Sequence, residues 1–229
     1  MVKRKRLGFK VIQGGSRECE KCLEIGVDQL LETVQLMDEL PKMLRSAIND
    51  DRVWQKRNEN SIEKTLLSPG LASQWVAALL ALGACVVFEN GADAMLSEFL
   101  QRKVNAGKLV SLSIPCDGSG KLYGHSAVRI VPTDEPIVGA YAVVEVKDGI
   151  VENARIALTG ASREQAKPVD AAEKMVGRKL DGTLIEEIAL AVVEEVSPKE
   201  DYRGGIEYRR EMAGLMTKRA LEMCMKGAK

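Results

Sequence analysis

The sequence predicts an α+β protein, with a mixed α/β lobe followed by a three-stranded antiparallel sheet packed with three helices. Three observations carry that expectation. In the first half, strand-like and helix-period apolar runs are interleaved without a strict βαβ repeat. In the second half three strand candidates follow one another, and Asp148-Gly149 between the last two is a strong hairpin signal. Three helical patterns then close the chain. The 229 residues suffice for one large domain or two small ones. The short polar run Cys116-Asp117-Gly118-Ser119-Gly120 divides them into 1–116 and 117–229.

In order along the chain, Phe9 to Gln13 and Lys21 to Val27 read as strands around a Gly14-Gly15-Ser16 turn. Asp28 is placed to cap a helix carrying Leu30, Leu31, Val34 and Met37 at helical spacing. Pro41 suits the first turn of the next helix, with Met43, Leu44, Ala47 and Ile48 on one face. Arg57 to Pro69 has poor periodicity and reads as a long loop. Leu71 to Leu82 is an apolar helix ended by Gly83, and Ala84 to Phe88 a strand. Asn90-Gly91 marks a turn, Ala92 to Gln101 a helix, and Lys108 to Ile114 a strand that stops at Pro115. The strands of the second half are Lys121 to Ile130, Ile137 to Lys147 and Ile150 to Thr159. Pro168 opens a helix ending near Gly177, Thr183 caps Leu184 to Val196, and Arg203 to Lys226 forms the last helix.

Composition narrows the classes. The 33 basic and 33 acidic residues cancel, which argues against nucleic acid as a partner. The basic start Lys3 to Arg6 is too short to change that. No apolar run reaches the length of a membrane span, and no export signal follows the N-terminal charges, so a cytoplasmic protein is expected. The five cysteines then read as reduced thiols. Cys19 and Cys22 form a lone CxxC on a predicted strand, whose alternation does not bring both sulfurs inward as metal ligands. His125 is the only histidine, which rules out multi-histidine metal sites and reads as a packed residue. Asp201, Arg203, Glu207 and Arg210 gather charge around Gly204-Gly205, and read as a helix start with Arg203 and Glu207 as i,i+4 partners, without catalytic residues.

Several spaced motifs resemble one family. They are Asp148-Gly149-Ile150-Val151, Ala154 through Gly160, Gly177 through Leu180, and above all Asp201-Tyr202-Arg203-Gly204 with Glu207-Tyr208-Arg209-Arg210. Over roughly residues 120 to 226 these are similar to the C-terminal domain of the FAD-binding (medium) subunits of molybdenum hydroxylases, the carbon monoxide dehydrogenase and xanthine dehydrogenase enzymes. In the first half, Leu23 to Gly26, Arg57-Asn58 with Ser61-Ile62, Leu79 to Ala84 and Leu109 to Pro115 look like that family's second flavin lobe. The resemblance implies that 1–116 is the second-lobe-like part of the FAD-binding domain and 117–229 the flavoprotein C-terminal-like domain.

The resemblance also implies a function. The chain is expected to be an oxidoreductase electron-transfer subunit, working between iron–sulfur clusters and FAD. Its partners would be an iron–sulfur small subunit and a molybdenum-cofactor large subunit, with a second copy of the chain as a further partner. Cofactor contacts are expected at Ser61, Ile62, Lys64, Thr65, Tyr123 and Arg129. The chain departs from the family where Gly-Gly-Asn follows Thr-Ile, because Glu63, Lys64 and Thr65 stand there. Glycine lets backbone N–H groups approach a pyrophosphate, and Glu63 brings negative charge instead. Gln74 replaces an aspartate, His125 a lysine, and the family's preceding lobe has no counterpart in this sequence. FAD binding is therefore expected to be weakened or lost, with Trp75 filling flavin volume. The alternative is a non-catalytic scaffold or binding protein derived from that subunit.

Overall fold

A computed structural model describes residues 9–15, 19–51, 54–68, 73–102, 107–116, 120–131, 134–162 and 166–227. The Lys3 to Arg6 run, the turn at Ser16 and most of the run at 117–119 lie outside the described residues.

Among the described residues, two sheets and their helices are arranged in layers. The first sheet has strand order β1-β2-β5-β3-β4, from β1 (Phe9–Gly15), β2 (Cys19–Gly26), β3 (Cys85–Phe88), β4 (Asp93–Met95) and β5 (Leu109–Pro115). Its pairings are antiparallel. α5 (Ser73–Leu82) and α6 (Leu96–Leu100) pack on this sheet, while α2 (Lys42–Asp51) and α4 (Ile62–Leu67) pack on α5, and α1 (Leu31–Gln35) on α2 and α3 (Trp54–Glu59). The second sheet has order β6-β7-β8-β9, from β6 (Lys121–Val128), β7 (Val138–Lys147), β8 (Ile150–Thr159) and β9 (Lys167–Pro168). Its far face is covered by α7 (Gly182–Glu195) and α8 (Ile206–Gly227).

The central helix is α5. Every residue from Gln74 to Leu82 is buried, which explains a run that is apolar on all sides rather than along one stripe. It packs on β5 of one sheet and on β7 and β8 of the other. Tyr141, Val143 and Ala157 of the second sheet accordingly join the core of the first half. The opposite face of the second sheet builds a separate core with α7 and α8, through Val144, Ile156, Ile188 and Leu221 among others. A strand covered on both faces needs apolar residues at successive positions, and β7 is buried continuously from Val138 to Val144.

Local signals hold where geometry is decided locally. Gly83 takes φ +72° and ends α5, with Gly83 N–H bonding Leu80 O and Ala84 N–H bonding Leu79 O. Asp148 and Gly149 both adopt positive φ and join β7 to β8 as the tight turn expected.

Several expectations are corrected. The stretch read as a loop after Arg57 contains the end of α3 and the whole of α4. Two six-residue helices carry too few turns for periodicity to register. Ala92 to Gln101 splits into β4 and α6, because Cys85 and Val86 recruit Met95 and Ala94 as an edge strand. Pro168 sits in the edge strand β9, where the missing N–H is no loss, and a 3-10 turn (Asp170–Met175) replaces the helix. The cap of α7 is Asp181, whose Oδ1 accepts from Leu184 N–H at 2.9 Å, so Thr183 lies inside the helix. Asp28 caps nothing: α1 starts after Leu30, and Leu31 N–H bonds Asn60 O. Finally, Cys22 is disulfide-bonded, whereas Cys85, Cys116 and Cys224 keep their thiols outside any disulfide. Composition speaks to a compartment and cannot see the geometry of one sulfur.

Candidate cofactor site

The start of α4 holds four of the expected cofactor contacts, Ser61, Ile62, Lys64 and Thr65. Ser61 is its N-cap, and the Ser61 hydroxyl accepts from Lys64 N–H at 3.2 Å. Ile62 N–H donates to Gln29 O at 2.9 Å, Glu63 N–H to Val27 O at 2.8 Å, and Thr65 N–H to Ser61 O at 3.1 Å. The four consecutive backbone donors from Ile62 to Thr65 therefore all have partners inside the protein. Ile62 and Thr65 are buried, and Thr65 Oγ1 donates to Ile62 O at 2.7 Å. Glu63 adds a carboxylate to this positive helix end, which favours the helix and opposes a phosphate.

Tyr123 and Arg129 belong to the other half of the chain, on and just after β6. Here α2 lies against the strand. Arg129 forms an ion pair with Asp50 of α2 at 2.8 Å. His125, between them, has Nε2 at 3.2 Å from the Ser46 hydroxyl and stacks on Tyr141, with ring centroids 5.9 Å apart and planes 9° from parallel. Burial lowers the His125 imidazolium below its ordinary 6.5; Asp50 works against that shift and Arg129 with it. Tyr123 packs partly buried against the first core. The six expected contact residues thus form two groups, Ser61 to Thr65 at the start of α4 and Tyr123 with Arg129 along β6, and each group is engaged by the protein's own elements.

Asp51 is a site residue that sequence reading missed. It is buried at the end of α2, and its two carboxylate oxygens accept from Gln74 N–H at 2.6 Å and Trp75 N–H at 2.5 Å. A buried carboxylate thus caps the start of α5 from a different helix. The one available signal was an acid one turn beyond the apolar positions of α2. Gln74 turns its amide to Thr159, with Nε2 donating to Oγ1 at 2.7 Å across to β8. Trp75 is fully buried.

The charged stretch from Asp201 to Arg210 is split, with Asp201 to Gly205 before α8 and Ile206 to Arg210 on its first turns. Asp201 and Gly204 close a tight turn through paired backbone bonds. Arg209 is 3% exposed and reaches back to it. Its guanidinium donates to Ile137 O at 2.8 Å, Gly160 O at 3.1 Å, Gly204 O at 3.2 Å and Asp201 Oδ1 at 2.6 Å. Burial alone would raise the Asp201 carboxyl, but hydrogen bonds from the Arg203 backbone and side chain and from Arg209 outweigh it and hold it at about 2. Arg203 pairs with Asp201 and Glu135, so the expected pairing with Glu207 is corrected; Glu207 pairs with Arg210. The i,i+4 rule fails because Arg203 precedes the helix. A cleft of about 380 Å³ opens beside this turn, lined by Glu135, Lys199, Glu200, Asp201, Arg203 and Arg209 among others.

Residues 126–224 match the family described as the CO dehydrogenase flavoprotein C-terminal domain. The chain is thus a relative of the FAD-binding medium subunits of molybdenum hydroxylases. Among characterised proteins it is similar to the glyceraldehyde dehydrogenase medium chain of Sulfolobus acidocaldarius, 24% identical over 177 residues, covering 73% of this chain and 62% of that one. It is also similar to the carbon monoxide dehydrogenase medium chain of Afipia carboxidovorans, 30% identical over 122 residues, 53% of this chain and 42% of that one. The chain therefore spans about three fifths or less of the length of these two relatives. Its fold matches carbon monoxide dehydrogenase from Hydrogenophaga pseudoflava, in a form lacking the Mo-pyranopterin moiety of the molybdenum cofactor. The TM-score is 0.80 at 22% identity, over 98% of this chain and 80% of that one.

Proposed function

We propose that this chain is a medium-subunit homologue that keeps the assembly role of an oxidoreductase flavin subunit while its hold on FAD is weakened or lost. It works in the cytoplasm, beside an iron–sulfur small subunit and a molybdenum-cofactor large subunit. The observation that carries the reading is the first turn of α4. A pyrophosphate cradle needs unspent backbone N–H groups and no opposing charge. From Ile62 to Thr65 those donors are already bonded, and Glu63 stands among them. The residues present do not fit the diphosphate of FAD. Arg129 and His125 support the same reading, since α2 occupies the face of β6 that would meet a flavin ring.

The purified chain is expected to show no flavin absorbance, and to gain none that survives gel filtration after incubation with FAD. A stoichiometric flavin spectrum would falsify the loss of binding. Assembly is tested separately, by co-expression with the iron–sulfur small subunit and the molybdenum-cofactor large subunit of a related molybdenum hydroxylase. Co-purification at fixed stoichiometry supports the subunit role. A chain that associates with neither favours the alternative, a non-catalytic scaffold or binding protein derived from such a subunit.

A further inference from the structure

The turn that Arg209 anchors presents Tyr202 at its tip, 94% exposed. Exposure of that degree on an aromatic ring is unusual for a turn so heavily constrained. The turn is held by the paired bonds between Asp201 and Gly204 and by the buried guanidinium beneath it. Tyr208 clamps it from the other side: a Cβ on Gly204 would lie 2.9 Å from its ring. Arg203 stands 5.7 Å from the Tyr202 ring centre. Tyr208 and Ile206, each 38% exposed, continue the apolar surface onto α8.

The cleft of about 380 Å³ begins at the same turn, since Glu200, Asp201 and Arg203 flank Tyr202 and line it. Its charged lining comprises Lys199, Arg203 and Arg209 against Glu135, Glu200 and Asp201, so both signs are equally represented. Two properties follow from this arrangement. A protruding ring lies directly beside a recess large enough to receive one. The patch as a whole is neutral and mixed, so it complements a copy of itself turned by a two-fold rotation. Those are the requirements of an isologous contact, in which each surface supplies both knob and hole. A ligand of one charge sign would find no matching field in this cleft, whereas a second copy finds its own complement.

We infer that this face is a two-fold self-association surface, in which Tyr202 of each copy enters the cleft beside the turn of the other. Tyrosine and arginine are the residue types that dominate such contacts, and a turn held by its own bonds loses little backbone freedom on docking. One tyrosine buries about 150–250 Å², against about 800 Å² per partner in a standard interface. Ile206, Tyr208 and the cleft rim must supply the remainder, which makes this a reversible contact of moderate strength. The inference does not depend on whether FAD or other subunits bind.

Sedimentation velocity on the full chain across a micromolar concentration series tests it. The wild type is expected to pass from monomer to dimer as concentration rises. Tyr202→Ala, at a solvent-exposed position that leaves the core untouched, should weaken dimerisation by roughly tenfold or more, and Tyr202→Phe should retain it. A wild type that stays monomeric throughout overturns the inference. So does a dimer that Tyr202→Ala leaves unchanged while circular dichroism confirms the fold.

Discussion

At the scale of single residues, Arg209 carries the most structural weight in the second half. It satisfies two carbonyls at the ends of the β7 and β8 region and one in the turn, besides pairing with Asp201. Removing the guanidinium leaves those acceptors without their donor inside the protein. Arg209→Ala should therefore cost about 3 kcal/mol of unfolding free energy, read from the urea midpoint at constant slope. His125 is the second residue with a measurable signature. Its neighbours are Ser46 and Asp50 on α2, Arg129 beside it after β6, and Tyr141 on β7. The folded protein lowers its proton affinity, so below the ordinary value of 6.5 the unfolded chain binds more protons than the folded one. Stability should fall as pH drops from 7 through that value, and His125→Gln should flatten this part of the curve. An equal slope in wild type and variant would show that another group titrates there.

At the scale of elements, two contacts decide how helices meet sheets. α8 crosses β6 at Gly124, where an added Cβ would stand 1.9 Å from the carbonyl oxygen of Ala220. Backbone meets backbone, and no side chain can rotate away. Gly124→Ala should cost about 3 kcal/mol or more and lower the melting temperature. On the other side of the same sheet, Asp51 holds the start of α5. Asp51→Ala removes the acceptor of two buried N–H groups and should cost about 2–3 kcal/mol by chemical denaturation. These elements differ in how much of them the sequence displays. The Asp148-Gly149 turn, the apolar α5 and the long α8 are legible because their signals are local: positive-φ residues, an unbroken apolar run, many turns. α4 is not, because its first N–H groups bond Gln29 O and Val27 O, which are distant in sequence. For the same reason the identity of Glu63-Lys64-Thr65 was readable but its geometry was not. The Asp201–Gly204 turn looks like the start of a helix because its charges match a helix start; the bonds that make it a separate turn run between Asp201 and Gly204 and from the distant Arg209 guanidinium to both.

At the scale of the whole molecule, the second sheet is covered on both faces, and α5 serves both cores. Separating the halves would expose Tyr141, Val143 and Ala157 on one side and a bare helix face on the other. The chain should therefore unfold in one transition despite its two sheets. Tryptophan fluorescence and far-ultraviolet circular dichroism are expected to give the same urea midpoint, and two resolved midpoints would show that α5 couples the halves weakly. The balanced charge of the chain adds that solubility should be lowest near its isoelectric point of about 6.7.

The position of α5 has a consequence during synthesis. The helix leaves the ribosome long before its partners, because β7 begins at Val138 and β8 ends at Thr159. At about 5–20 residues per second, an all-apolar helix waits for seconds with half its packing surface uncovered. The nascent chain between those points is the natural client of a chaperone, and a stalled or shortened message would release the most aggregation-prone form this protein can take.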